Sequence, residues 1–276
     1  MSESKLKRLI SNLPPPLQKQ ALRMLYLRNG KYLQDFRSFN KGQFFAYKIN
    51  DIFFPSESLG WFVDYGYYYK WVRSISTFYY QPRPGDTIID IGSGIGEEAI
   101  VFSKMVGNGG RVISIEANPE VFAVLEEIVR LNGLTNVALH NVAINTSDDE
   151  VEISVDDASF LGGSIGVRSG SGKSFTVPGF RFDSFVKKNT IQQVNLLKVN
   201  IEGAERFVID TIGDFINNIH HIAISCHDFR FEQEGNPFFK TKKLVSEYLQ
   251  ANGFQISSQQ TGKPFIDDWV YASRSK

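Results

Sequence analysis

A chain of 276 residues with 42% apolar side chains, thirty basic and thirty acidic residues can bury one large domain with an appended lead-in, and it has no overall charge with which to attract nucleic acid. Its single cysteine, Cys226, excludes an intrachain disulfide and a cysteine-based zinc site and agrees with a reducing, cytoplasmic setting. No apolar run approaches the ~18 residues of a membrane span, and Lys7 and Arg8 break the one early apolar stretch with no cleavage site after it, so neither an integral membrane protein nor a signal peptide is expected.

Residues 1–31 hold seven bases against one acid, a local excess of six. After Pro14–Pro16, Leu17, Ala21, Met24, Leu25 and Arg28 recur at helical spacing, which predicts a short amphipathic helix. Two readings stand: a cover helix packed on its own domain, or a peripheral contact with an anionic membrane or a partner. Residues 32–82 are rich in Phe and Tyr. FFAYKINDIFFP at 44–55 predicts a hairpin-like pair of strands, while 60–80 mixes strand and helix signals. These aromatic faces either fill a core or wall an acceptor pocket. Residues 1–82 are thus expected as a lead-in on the acceptor side and 83–276 as the main domain.

The turn Arg83-Pro84-Gly85-Asp86 feeds an apolar strand, Thr87–Ile91, broken only by Asp90. Gly92, Gly94 and Gly96 then let the backbone turn and approach a ligand, and a helix is expected over 97–107. A dinucleotide fold wants G-x-G-x-x-G with phosphate on the helix N-terminus. Here the third glycine comes one place early, and Glu97 and Glu98 in the first turn would repel phosphate. A nucleoside cofactor without phosphates, carrying a sulfonium and an ammonium, fits better: S-adenosylmethionine (SAM). A second strand, Arg111–Ile115, ends on Glu116, twenty residues after Gly96, where a carboxylate accepts hydrogen bonds from ribose hydroxyls.

Strand and helix alternate from there, the α/β pattern. A helix over 119–132 opens with Pro119, and 136–144 reads as the third strand, with Asn141 and Ala143 in the stretch expected to border the adenine. Residues 151–155 continue as a strand, 156–174 read as a Gly/Ser-rich loop, either a lid or a plain connection, and Asp183 is expected to cap a helix. In NLLKVNIEG at 195–203, strand alternation puts Lys198, Asn200 and Glu202 on one face at the carboxyl edge of the sheet. His227 follows a strand at 221–225 and emerges at the same edge. With an ordinary pKa of about 6.5 it is the first candidate for a general base, and Glu202 is the next. A helix over 240–252 and strands at 254–258 and 269–273 fit a reversed hairpin closing the sheet.

Over roughly residues 83–230 the chain resembles the FkbM-type SAM-dependent methyltransferases. DIGSGIGEEA is similar to that family's D-x-G-A-N-x-G signature with Ser93-Gly94 in place of Ala-Asn, IEANPEVF at 115–122 to its second acidic motif, and LLKVNIEGAE at 196–205 to its K-x-D-x-E-G-x-E block. The resemblance implies a class I SAM-methyltransferase fold, a Rossmann-like doubly wound sheet with a reversed C-terminal hairpin strand. It also implies methyl transfer to a hydroxyl of a sugar, glycan or natural product. SAM would be held by Asp90, Gly92, Ser93, Gly94, Gly96, Glu97, Glu116 and Ala117, with Asn141 and Ala143, and chemistry would occur beside Lys198, Asn200, Glu202 and His227. Asn200 stands where the family commonly has Asp, so no metal is expected. Two rival readings are a nucleotide-dependent oxidoreductase and a non-catalytic SAM-binding scaffold that recruits a partner through its basic N-terminus. The oligomeric state is left open.

Overall fold

The computed structural model describes residues 9–60, 64–156, 159–165 and 173–274. Helix α1 (Pro15–Arg28) begins with Pro in its first turn, where a missing N–H costs nothing. It lays Leu22 and Tyr26, both sealed from solvent, on an antiparallel meander of β1 (Asp35–Phe39), β2 (Phe44–Ile49) and β3 (Ile52–Ser56). Asn50 and Asp51 join β2 to β3 at φ 51° and 63°, the left-handed pair that a tight two-residue hairpin needs. The ambiguous aromatic stretch becomes helix α2 (Tyr65–Ser74), whose first turn is satisfied by Asp64 accepting from the Tyr67 N–H at 2.9 Å. Phe44, Phe53 and Phe54 share a core with Ile95, Val124 and Ile128 of the main domain. Asn132 ties the two further, accepting from the Phe53 N–H at 2.9 Å and donating to the Phe53 carbonyl at 2.8 Å.

The main domain runs β4 (Thr87–Ile91), α3 (Glu97–Val106), β5 (Arg111–Ile115), α4 (Pro119–Leu131), β6 (Val137–His140), β7 (Ala143–Ile144), β8 (Glu150–Asp156), β9 (Ser159–Ile165), β10 (Lys173–Phe180), α5 (Phe182–Lys188), β11 (Val194–Val199), α6 (Glu205–Thr211), β12 (Ile219–Ser225), α7 (Asp228–Glu234), α8 (Lys242–Ala251), β13 (Phe254–Ser257), α9 (Pro264–Asp267) and β14 (Trp269–Arg274). Seven strands form one sheet in the order β13-β14-β12-β11-β4-β5-β6. β4, β5, β6, β11 and β12 are parallel, and β14 runs antiparallel to both neighbours, the reversed C-terminal hairpin strand. The chain winds outward from β4 through β5 and β6, then returns to start again at β11 on the other side. The order therefore reverses between β4 and β11, and a doubly wound sheet binds ligands outside the carboxyl ends of the strands at that point.

Four expectations are corrected. The strand expected over 136–144 is two, because Asn141 leaves the ladder to donate to the carbonyls of Glu116 and Ala117 at 2.8 and 3.0 Å, and β7 then joins a second sheet. That sheet, β7-β10-β8-β9, occupies much of the expected 156–174 loop, of which 157–158 and 166–172 lie outside the described residues. Its pairing of Val177 with Val151 and Phe175 with Ile153 supplies the cross-strand contacts that the glycine and serine content concealed. Asp183 does not cap α5, since Arg181 holds the N-cap position and Asp183 sits in the first turn accepting from Arg181. β11 ends at Val199, one residue before the face on which Asn200 and Glu202 were expected.

Candidate active site

The site grows from the contact between the ends of β4 and β11. Gly92 has φ +78°, and a Cβ there would lie 2.0 Å from the Asn200 carbonyl oxygen, so no other residue lets the two exits meet. The Gly92 N–H donates to the Ile115 carbonyl at 2.9 Å, drawing the turn toward β5. Beyond β5 the Glu116 carboxylate accepts from the Gly94 N–H at 3.0 Å and the Asn118 N–H at 2.8 Å. Burial pushes its pKa up to about 7 in spite of these bonds.

In front of this turn lies a cleft with about 580 Å³ of empty space, lined by Gly92, Glu116, Ala117, Asn118, Asn200 and Glu202 and walled by Ile115, Val142, Ala143, Ile144, Ile153 and Ile201. Its mostly apolar wall with a few convergent polar groups, a carboxylate among them, is the chemistry of a small-molecule site. Ile153 reaches it from the second sheet, so that sheet forms part of the wall.

Behind the turn is an ionic floor. Lys198 Nζ lies 2.8 Å from Asp90 Oδ1 and 2.8 Å from Glu98 Oε2, and donates to the Gly92 carbonyl at 2.9 Å. Lys198 and Asp90 are 1% and 0% exposed. Burial works against the ammonium, but the two carboxylates hold its pKa above the ordinary lysine value. Burial raises the Asp90 pKa while Lys198 opposes the rise. Neither Asp90 oxygen makes a well-aligned hydrogen bond among the described residues, so charge rather than geometry holds the pair.

On the other side of β11 a second charged group surrounds the cleft mouth. Glu202 sits at φ +53°, a left-handed conformation that a glutamate adopts only where surrounding contacts impose it. Its carboxylate meets Arg230 Nη1 at 2.5 Å and His227 Nε2 at 3.5 Å. Burial opposes ionisation, yet His227 and Arg230 bring the Glu202 pKa down to about 2. His227 Nδ1 lies 2.8 Å from Glu205 Oε1, whose other oxygen accepts from Thr241 Oγ1 at 3.1 Å. Against the burial penalty, Glu205 and Glu202 raise the His227 pKa to about 10.

Of the expected site residues, Gly92, Glu116, Ala117, Ala143, Asn200 and Glu202 line the cleft. Asp90, Ser93, Gly94, Gly96 and Asn141 stand behind it. Ser93 Oγ donates to the Asp90 carbonyl at 2.9 Å, and Gly96 opens α3 at φ +100° against Leu125. Lys198 is removed from the reacting face because its ammonium is buried between Asp90 and Glu98. His227, expected as the base, does not line the cleft; its Nδ1 and Nε2 face Glu205 and Glu202 at 2.8 and 3.5 Å. Glu97 faces another cleft, of about 680 Å³ and open to solvent, lined by Tyr67, Tyr68, Trp71, Glu97 and Glu98. Burial pushes the Glu97 pKa up to about 8, with the Tyr68 hydroxyl 3.5 Å away. Sequence reasoning missed Asn118, Val142, Ile144, Ile153 and Ile201. Ile144 and Asn118 were legible as residues at or just past strand ends, whereas Ile153 carried no signal.

Among the described residues no three His, Cys, Asp or Glu side chains converge as metal ligands would. A sheet that reverses order between β4 and β11, a glycine turn with two glutamates in place of a phosphate seat, and a half-buried glutamate at the end of β5 together define the class I, Rossmann-like α/β fold of SAM-dependent methyltransferases. Residues 90–256 match the methyltransferase FkbM domain, and the chain belongs to that family. SAM is its cofactor. The residues present fit it: Glu116 suits ribose hydroxyls and the isoleucine-walled slot suits adenine.

The chain is similar to protein-L-isoaspartate O-methyltransferase from Methanococcus aeolicus, 40% identical over 55 residues, which cover 20% of this chain and 26% of that protein. It is also similar to arsenite methyltransferase from Halobacterium salinarum, 37% identical over 54 residues, covering 20% and 14%. The chain thus spans about a quarter of the length of the first curated relatives it matches. Among solved structures, a putative O-methyltransferase from Klebsiella pneumoniae aligns over 99% of this chain and 96% of its own at 13% identity and TM-score 0.46. Fibrillarin from Aeropyrum pernix, in complex with natively bound SAM, aligns over 88% and 98% at 14% identity and TM-score 0.45.

Proposed function

We propose that the protein transfers a methyl group to a neutral hydroxyl oxygen of a sugar, glycan or natural product. The observation that carries this reading is the charge of the cleft. Its lining contains Glu116 and Glu202 and, among the described residues, no Lys, Arg or His. An acceptor carboxylate would find no free cation to pair with there, because Arg230 and His227 are already engaged by Glu202. A hydroxyl instead donates to the Glu202 carboxylate and is oriented by it.

Bound SAM supplies an electrophilic methyl group on a sulfonium. Glu202, kept ionised by Arg230 and His227 and presented beside Asn200, accepts the acceptor's O–H and points an oxygen lone pair into the cleft. Its low pKa does not disqualify it, because the protonated ether formed by the transfer is a strong acid and gives its proton even to a weakly basic carboxylate. Asn200, exposed at the rim, adds a neutral donor and acceptor. A second, open cleft is lined by Tyr67, Tyr68 and Trp71 with Glu97 and Glu98. Its flat faces and two carboxylates suit the C–H face and hydroxyls of a sugar ring. Nucleic acid is not the expected acceptor, since among the described residues neither cleft's lining carries a Lys, Arg or His.

The test is methyl-labelled SAM with a panel of sugars, glycans, polyketide alcohols, RNA and an isoaspartyl peptide, followed by mild alkali. Ether products survive alkali and methyl esters hydrolyse. Label retained on a hydroxylated acceptor supports the reading, whereas label only on the peptide, lost in alkali, or on RNA overturns it.

A further inference from the structure

Helix α1 has two apolar faces. At about 100° per residue, Leu17, Met24 and Leu27 fall roughly opposite Leu22 and Tyr26. The inner pair are 0% exposed, while Leu17, Met24 and Leu27 are 50%, 69% and 58% exposed. Leu9, six residues before the helix, and Tyr32, four after it, are also 57% and 63% exposed. A cover helix needs only its inner face, and a solvated outer face is ordinarily polar.

Charge accompanies the stripe. Residues 9–34 contain four bases, Lys19, Arg23, Arg28 and Lys31, and no acid. Lys19 is paired with Asp35 and Lys31 with Asp64. Arg23 donates to the carbonyls of Leu33 and Gln34, neutral groups that leave its charge uncancelled. Arg28 lies on the same face as Leu17 and Met24. The face is convex, projecting long, adaptable Leu and Met side chains from one helix, which suits a fluid surface that moulds around them better than a rigid protein groove. No helix among the described residues is long and apolar enough to cross a membrane, so such a contact is peripheral.

We propose that α1 docks the protein on an anionic lipid surface, with Leu17, Met24 and Leu27 entering the headgroup boundary and Arg23 and Arg28 meeting the lipid charge. The cofactor cleft lies in a separate part of the chain, so its ligand is not needed for docking.

The test is flotation of the full-length protein with vesicles of phosphatidylcholine alone and of phosphatidylcholine mixed with equal parts of phosphatidylglycerol. The wild type should partition to the mixed vesicles about tenfold or more better than to the neutral ones, the scale of two bases at a charged surface, and added salt should weaken it. Leu17→Gln/Met24→Gln/Leu27→Gln changes only exposed side chains, so it should keep its circular dichroism and SAM affinity but stay in the bottom fraction. Arg28→Gln should lower the partitioning without abolishing it. A wild type that floats with neither vesicle, or a triple variant that floats as well as wild type, overturns the proposal. A wild-type dimer by light scattering that the triple variant dissolves also overturns it, because a second copy would then cover the face.

Discussion

His227 Nδ1 and Glu205 Oε1 stand 2.8 Å apart with the histidine 3% and the glutamate 0% exposed. The pair joins the first residue of α6 to the N-cap of α7 and fixes the loop that carries Glu202. Removing one partner leaves the other charge buried and uncompensated, so His227→Ala should destabilise the fold by about 3–5 kcal/mol, measured by urea unfolding. The His227 pKa is raised from 6.5 to about 10. The stability it contributes is therefore complete below about pH 6.5 and is lost as pH rises through about 10, a decline that His227→Ala should not show. A variant as stable as wild type with a lost methylation rate would return the histidine to the chemistry.

Glu116 should make SAM affinity depend on pH. Its pKa is raised to about 7, and only the carboxylate accepts from both ribose hydroxyls. Affinity measured by calorimetry should therefore rise between pH 6 and pH 8. Glu116→Gln should flatten the profile and cost about 1–3 kcal/mol of SAM binding at pH 8, the scale of charge-assisted hydrogen bonds. An unchanged affinity would remove Glu116 from ribose recognition.

Lys198 is expected to matter for folding rather than for the reaction. It is the cation between Asp90 and Glu98, so Lys198→Met should cost about 3–5 kcal/mol of stability. Adding Asp90→Asn should restore part of that loss, because it removes one of the two stranded charges. Thermal unfolding of the single and double variants gives the coupling. A double variant no more stable than the single one would show that the floor is not held by charge.

Trp71, stacked on Phe265 at 6.3 Å and 39% exposed, should report on the acceptor. Trp71→Ala loses the stack on Phe265 and should cost about 0.5–1.5 kcal/mol of stability, leaving the protein folded. It should raise KM for a hydroxylated acceptor by about threefold to tenfold, the value of one aromatic contact, with SAM affinity unchanged. Unchanged acceptor kinetics would place the acceptor elsewhere.

The sequence by itself determined the sheet's central strands, the glycine turn and the cofactor. β-branched runs ending in Gly92 and Glu116 are local patterns, and their chemistry needs only residue type and spacing. The hairpin at 44–56 was legible for the same reason. Only tertiary structure decided the roles of Lys198, Glu202 and His227. Alternation said that Lys198 and Glu202 share a face, but β11 stops at Val199, the chain turns at φ +53° on Glu202, and the two side chains part company. His227 reads as an ordinary imidazole until Glu205, twenty-two residues earlier, is folded against it. A pKa is set by burial and by the charges that other elements bring near, and neither is written in the spacing of neighbours along the chain. The second sheet was hidden likewise, since the pairing of β8 with β10 that brings Ile153 into the cleft wall is a contact between distant segments, which a Gly/Ser-rich composition neither requires nor forbids.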